Sequence, residues 1–290
     1  MREKCELKSI VLKAPAKLNL FLNTTGKRED GYHFIESVMQ TIDLCDEVSI
    51  QLTDGNEICV TSNDQGIPLD EGNIVSKIAR KVAEYKNIEF GCKIHIEKNI
   101  PTGAGMGGGS SDGAITLIGL NKLLSLNLSH KELLRIAESV GADIPFLLSG
   151  GTAKVFGIGE DVNSISPLCN CYFVIVKPDV SIDTKNAYKM LDEAKIKTSK
   201  NMEDIILAIN NNSIKDVGKN LYNCFEEVAP KEINEIKIML NRCGAINSLM
   251  TGSGSAVFGL FSDFDSAELT RKALNKIYDK VFIARPVEGY

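Results

Sequence analysis

Between Pro101 and Asp112 the chain reads Pro-Thr-Gly-Ala-Gly-Met-Gly-Gly-Gly-Ser-Ser-Asp, five glycines in twelve residues, and this run constrains the fold more than any other stretch. Ahead of it, Cys92, Ile94 and Ile96 alternate with Lys93, His95 and Glu97 as a strand does, and Pro101 ends that strand. Behind it, Ala114, Leu117, Ile118, Leu120 and Leu124 recur at helical spacing, which predicts a helix starting near Ser110 to Asp112. Strand, glycine loop and helix in that order let backbone N–H groups turn inward around an anion, with the positive end of the helix dipole behind them. A tight packing loop is the competing reading, and it needs one or two glycines rather than five. Gly103, Gly105 and Gly108 match the dinucleotide fingerprint in spacing, but Pro101 and Thr102 separate them from the strand and no acidic residue closes a second strand about twenty residues on. No Gly-Lys-Ser or Gly-Lys-Thr ends the loop, so the Walker pattern fails as well.

At 290 residues the chain exceeds one ordinary core, which predicts two domains. The boundary is expected near Pro167, giving residues 1–166 and 167–290. Hydrophobic residues at 43% and charged residues at 24% are globular values. A net charge of −5, a pI near 5.4 and no dense Lys/Arg cluster argue against a nucleic-acid partner. Met1 to Pro15 mixes charged and apolar residues without a long apolar run, which predicts neither signal peptide nor membrane anchor and a cytoplasmic enzyme. Eight cysteines, at 5, 45, 59, 92, 169, 171, 224 and 243, form no Cys-x-x-Cys pair and are expected to be reduced and mostly buried.

Val11 to Asn23 alternates as a half-buried strand that puts Lys17 and Asn19 on one face. Strands are also expected at Val48–Leu52, Glu57–Thr61, Tyr172–Val176, Ser248–Met250, Ala256–Phe261 and Val281–Arg285. Helices are expected at Asn73–Ala83, after the capping box Ser129/Glu132, after Asp143, and at Asn201–Asn211, Ile214–Phe225, Glu232–Cys243 and Phe264–Tyr278. The mixture is α+β in both halves.

The glycine-serine run resembles the central ATP motif of the GHMP kinases, a family of small-molecule kinases. Ala14-Pro15-Ala16-Lys17-Leu18-Asn19-Leu20, Asp30-Gly31-Tyr32-His33, Gly141-Ala142-Asp143-Ile144-Pro145 and Thr251-Gly252-Ser253-Gly254 resemble, in order and spacing, the members acting on a cytidine-diphosphate-linked polyol in isoprenoid precursor synthesis. The resemblance implies an α+β, two-domain GHMP kinase fold, with an N-terminal ribosomal-protein-S5-like α/β domain and a C-terminal ferredoxin-like α/β sandwich. It implies ATP as phosphoryl donor, Mg²⁺ arriving with it, and small-molecule partners rather than nucleic acid or membrane.

For the residues, the resemblance implies Asp143 as catalytic base and Lys17 as the cation that keeps it ionised and stabilises the moving phosphoryl. Pro101, Gly103, Ala104, Gly105, Met106, Gly107, Gly108, Gly109, Ser110 and Ser111 line the nucleotide phosphates, with Ser111 a metal contact and no metal held by protein alone; Asn73 and Lys98 fall near the adenosine. Asn19, Tyr32, His33, Tyr188 and Thr251 to Gly254 fall to the acceptor, Tyr32 and Tyr188 stacking on the base and His33 hydrogen-bonding it. Read without the resemblance, Asp143 and Asn73 are also helix caps, Lys17 and Lys98 exposed strand lysines, Tyr32-His33 the start of a loop, and Thr251–Gly254 a turn. Gly113 stands where the family often has Ala.

Overall fold

The structure, a computed structural model, describes residues 8–194 and 200–289. The first seven residues, with Cys5 and the start of the expected leaderless segment, lie outside them.

Two long strands, β1 (Ser9–Lys27) and β2 (His33–Thr53), are joined by a turn in which Arg28 N–H donates to Tyr32 O at 2.7 Å and Gly31 N–H to Arg28 O at 3.1 Å. They are followed by β3 (Ile58–Ser62), α1 (Ile74–Lys86), β4 (Gly91–Glu97), α2 (Gly108–Leu123), α3 (His130–Glu138) and α4 (Ile144–Ser149). Then come β5 (Thr152–Phe156), β6 (Asp161–Ser164), β7 (Tyr172–Val176), α5 (Thr184–Ala194), α6 (Met202–Asn210), α7 (Ile214–Asn220) and β8 (Tyr222–Asn223). A 3₁₀ turn over Cys224–Val228, α8 (Lys231–Arg242), β9 (Asn247–Met250), β10 (Val257–Phe261), α9 (Phe264–Leu274) and β11 (Val281–Ala284) complete the order.

The chain gathers into two compact units that interleave along the sequence. One takes the chain up to Ala16 with Cys45–Thr102 and Gly107–Leu148. In it β4 lies between β3, parallel, and the Glu47–Thr53 end of β2, antiparallel. Helices α1, α2 and α3 pack on one another. The α1–α2 contact explains Gly113: a Cβ there would lie 2.6 Å from Ile74 Cγ2, so Ala fits only if Ile74 moves.

The other unit takes Lys17–Leu44, Gly103–Met106 and the chain from Ser149 onward. Its four-stranded antiparallel sheet has the order β11-β7-β10-β9, with α8 against β9 and β10 and α9 against β7, β10 and β11. Taken in chain order that is 4-1-3-2 with helices between the first and second and between the third and fourth strands, the ferredoxin-like arrangement. Phe173, Phe258 and Phe261 are buried in it, and Phe173 meets Phe258 edge-on at 5.4 Å. In the same unit β5 pairs with Ser37–Gln40 of β2 and with β6, and Phe21-Leu22 of β1 pairs with β8.

Several sequence expectations are corrected. The alternation at β1 predicts one wet face, but Ala14–Asn23 is buried throughout, because Lys17, Asn19 and Asn23 find polar partners instead of water. Val48–Leu52 is only the end of a strand starting at His33; the earlier part hides from pattern reading because Ser37, Gln40 and Thr41 are fully buried polar residues. The helix expected over Ile214–Phe225 stops at Asn220: the Asn223 amide donates to Met250 O at 2.6 Å and Gly252 O at 2.8 Å, which holds the chain extended there. Helix α9 ends at Leu274 rather than Tyr278, and α2 starts at Gly108, because Gly107 takes the left-handed conformation (φ 69°) and turns the chain into the helix. Elements β5, β6 and α5 went unpredicted. Among the seven described cysteines no disulfide forms, but Cys59, Cys169 and Cys243 are exposed, against the expectation of mostly buried thiols. At Cys92, Cys171 and Cys224 burial pushes the thiols up, to about 11, 12 and 11. No described helix is long and apolar enough to cross a membrane.

Candidate active site

Lys17 and Asn19 sit on one face of β1, at 4% and 1% exposure, so the exposed-lysine reading of Lys17 is excluded. Lys17 Nζ donates to Asn19 Oδ1 at 2.6 Å. The Asn19 amide donates to Ser37 Oγ at 2.9 Å, and that hydroxyl donates to Phe21 O at 2.6 Å. Asn19 is thereby held by both ends of its side chain. Its backbone N–H donates to Thr251 Oγ1 at 3.0 Å, tying the Thr251–Gly254 loop to the strand.

That loop packs on the Gly103–Met106 segment of the glycine run. Lys17 N–H donates to Met106 O at 2.9 Å, Ala256 N–H to Ala104 O at 3.1 Å, and the Thr251 hydroxyl lies 3.4 Å from Gly105 O. Gly105 and Gly252 both have positive φ (75° and 59°), and a Cβ on Gly105 would collide with Thr251 O, while one on Gly252 would lie 2.9 Å from Gly105 O. The two glycine segments interlock backbone on backbone. Thr251–Gly254 is therefore more than a turn, and Gly105 serves packing, while Gly103 is exposed with nothing near its missing Cβ. Ser253 Oγ lies 2.8 Å from Thr184 Oγ1.

In the same unit His33, at the start of β2, brings together residues that the sequence keeps far apart. Its ring stacks on Tyr188 of α5 at 4.5 Å and 19°, and Nε2 lies 2.7 Å from Asp192 Oδ1. Tyr188 is braced edge-on by Phe225 at 4.9 Å. Asp192 also accepts from Lys27 Nζ at 2.5 Å; these hydrogen bonds, from Lys27 and then His33, hold its carboxyl below the usual range. Tyr32 remains 61% exposed, with its backbone N–H on Asp30 Oδ1 at 3.2 Å. His33 is no solvated loop residue. Asp192 escaped the sequence reading, although it lies one helical turn beyond Tyr188.

The other unit holds the N-terminus of α2. Gly109 is exposed there, Gly107, Gly108 and Ser110 half-buried, and Ser111 buried with its hydroxyl donating to Pro15 O at 2.7 Å. Beneath this helix start Lys98 is buried, its ammonium shared between Asp46 and Asp112, the latter at 2.9 Å. A Cβ on Gly108 would meet Lys98 Nζ at 3.2 Å. Asp46 Oδ1 also accepts from the N–H groups of Asn99 (2.6 Å) and Ile100 (2.8 Å), whereas Asp112 Oδ1 is buried without a partner. Burial works against the Lys98 charge, but Asp112 and Asp46 outweigh it and hold its pKa above the ordinary lysine value. Burial dominates at Asp112 and, with the charge of Asp46, overcomes Lys98 and pushes the carboxyl up to about 7. Lys98 is thus not an exposed strand-end lysine; in the sequence reading Asp112 has no role beyond the start of α2, and Asp46 none.

Asn73 caps α1, accepting from Val75 N–H at 3.0 Å and donating to Pro68 O at 2.6 Å. Asp143 is half-buried just ahead of α4, its carbonyl accepting from Leu147 N–H at 3.2 Å. Among the described residues no group of three or more His, Cys, Asp or Glu side chains is arranged to hold a metal ion.

A glycine-rich segment opening a helix, a buried lysine on a strand and a second glycine loop over a ferredoxin-like sheet are the parts of a small-molecule kinase, and the chain belongs to the GHMP kinase family. Residues 73–151 match the GHMP kinases N terminal domain and residues 205–280 the GHMP kinases C terminal domain. As a kinase of this family it takes its phosphoryl group from ATP. The chain is 45% identical over 278 residues (94% of each chain) to the 4-diphosphocytidyl-2-C-methyl-D-erythritol kinase of Clostridioides difficile (strain 630). It is 42% identical to the enzyme so named from Clostridium tetani (strain Massachusetts / E88), covering 95% of this chain and 99% of that one. A crystal structure of 4-(cytidine 5'-diphospho)-2C-methyl-D-erythritol kinase superposes with a TM-score of 0.80 at 28% identity, covering 97% of this chain and 100% of that one.

Proposed function

We propose that this chain transfers the γ-phosphoryl group of ATP to the 2-hydroxyl of 4-diphosphocytidyl-2-C-methyl-D-erythritol, giving the 2-phosphate and ADP, in the non-mevalonate route to isoprenoid precursors. The observation that carries the reading is the buried Lys17–Asn19–Thr251 cluster, in which Asn19 holds the Lys17 ammonium and the Gly103–Met106 segment is hydrogen-bonded to the Lys17 backbone. The full-length likeness to two kinases of that name supports the acceptor.

In this reading Asp143 accepts the proton of the acceptor hydroxyl, and Lys17 stabilises charge on the phosphoryl group in transfer. The N–H groups at the start of α2 and the open glycines Gly103 and Gly109 face the phosphates. Asn73 and Lys98 shape the adenosine side from within, since their polar atoms bond to Pro68, Val75, Asp46 and Asp112. Mg²⁺ comes with ATP as part of the substrate, the lone pairs of Ser111 Oγ being the protein's contribution to it. His33, with Tyr32 and Tyr188, reads the cytosine, and Asn19 and Thr251–Gly254 hold the rest of the acceptor.

The test is ATP consumption with the cytidyl substrate beside homoserine and mevalonate phosphates. Turnover of the cytidyl compound alone is expected; equal or greater turnover of the others removes the assignment. Asp143→Asn is expected to abolish turnover with ATP binding retained, and near-normal turnover in that variant removes the base.

A further inference from the structure

The His33 ring is held on its face and at one edge by a single helix. Tyr188 stacks on it and Asp192 Oδ1 meets Nε2 at 2.7 Å, and the two partners stand four residues apart on α5. Asp192 is ionised, its second oxygen taking the Lys27 ammonium at 2.5 Å. A carboxylate only accepts hydrogen bonds, so the bond to Nε2 requires the proton on Nε2. In the neutral ring Nδ1 is then a bare acceptor. Among the described residues Nδ1 has no hydrogen-bond partner, and it is not sealed from solvent.

We propose that Asp192 is the positioning residue that fixes His33 in the Nε2–H form, so that Nδ1 offers an acceptor to the substrate base and selects cytosine over uracil. The inference rests on the reading of His33 as a base contact given above. Cytosine carries the N4 amino donor where uracil carries the O4 acceptor. Against a bare Nδ1 the first makes a hydrogen bond, and the second sets lone pair against lone pair. Lys27 is not needed to place the proton, because it bonds Oδ2 while Nε2 bonds Oδ1.

The experiment compares the full chain on cytidine- and uridine-diphosphate-linked methylerythritol. Wild type is expected to favour the cytidine compound in kcat/KM by roughly ten- to a hundredfold. Asp192→Ala is expected to lose most of that preference through KM, with kcat little changed, while Lys27→Met keeps it. Long-range nitrogen-15 spectra of the imidazoles at about pH 8, where an ordinary histidine is neutral, give a readout apart from activity. With three histidines in the chain, His33 is assigned by the signals lost in His33→Gln. Wild type and Lys27→Met should show Nε2 protonated and Nδ1 bare, and Asp192→Ala a mixture of tautomers. A wild-type ring protonated on Nδ1, or an Asp192→Ala variant with unchanged base preference, overturns the proposal. An active wild type without base preference overturns this inference alone; a wild type inert on both compounds overturns the parent reading and the base choice with it.

Discussion

Lys98 and Lys27 each lie against a carboxylate that has a second partner, yet burial gives the two clusters opposite characters. Lys98 is shut away under α2, 6% exposed, between Asp46 and Asp112. Lys27 is half exposed beside Asp192, which also takes His33. In the buried cluster one cation answers two carboxylates, so a negative charge is left in a region that water does not reach, and one carboxylate must give way. Asp46 has three donors and Asp112 only the ammonium, so Asp112 is the one that takes up a proton. In the exposed cluster water screens every charge, and what Asp192 supplies is direction rather than energy. Burial turns ion pairing into architecture; exposure leaves it free to orient a ring.

Removing the buried cation should break the comparison most sharply. Lys98→Met leaves Asp46 and Asp112 without their shared partner, and a loss of about 3–5 kcal/mol is expected when one member of a buried ion pair is deleted. Urea unfolding followed by circular dichroism measures it. A loss under about 1 kcal/mol would put the cluster in the same class as the surface pair.

A smaller effect separates the two carboxylates by pH. The Asp112 carboxyl rises from an ordinary 3.8 to about 7 in the fold, so above 3.8 the native state holds a proton that the unfolded chain has released. A raised pKa contributes stability that is complete below the unfolded value and is lost as pH climbs through the folded one. Wild type should therefore lose stability relative to Asp112→Asn between about pH 4 and about pH 7, by a few kcal/mol at most. Unfolding midpoints of both proteins over that range supply the difference, and parallel curves would mean that Asp112 is ionised throughout. Asp192, whose carboxyl is lowered, carries the opposite sign: its contribution is present above the ordinary carboxylate range and fades in acid.

What could be read in advance follows the same division. Apolar periodicity located β4, α1 and α8, because in those elements one face is dry and the other wet. The β9–β10 pair and the helix after the glycine run are buried almost throughout, and their apolar residues beside glycine loops marked them instead. Periodicity located β1 but gave it a wet face it lacks, and it missed the first half of β2, because buried Lys17, Asn19, Ser37, Gln40 and Thr41 look like surface residues to a pattern but are satisfied by one another and by backbone. The glycine run was legible as special but not as divided: only the fold reveals that Gly105 makes room for Thr251 O. His33 and Tyr188 were indicated by resemblance, while Asp192 needed the geometry, because α5 was not recognised and the i, i+4 relation has no meaning without its helix.

The smallest expected effect is the one that completes the contrast. Lys27→Met removes a cation as Lys98→Met does, and from comparably close contact: Nζ lies 2.5 Å from Asp192 Oδ2, while Lys98 makes one similarly short contact, to Asp46, and one of 2.9 Å, to Asp112. Contact length alone would therefore give the two cations similar worth. Solvent separates them: with the side chains 50% and 37% exposed, the freed Asp192 carboxylate is hydrated and keeps its bond to His33. The change in unfolding free energy should stay within about 1 kcal/mol and shrink further in high salt. A Lys27→Met loss that matches Lys98→Met and persists in salt would show that proximity, and not burial, sets the worth of these pairs.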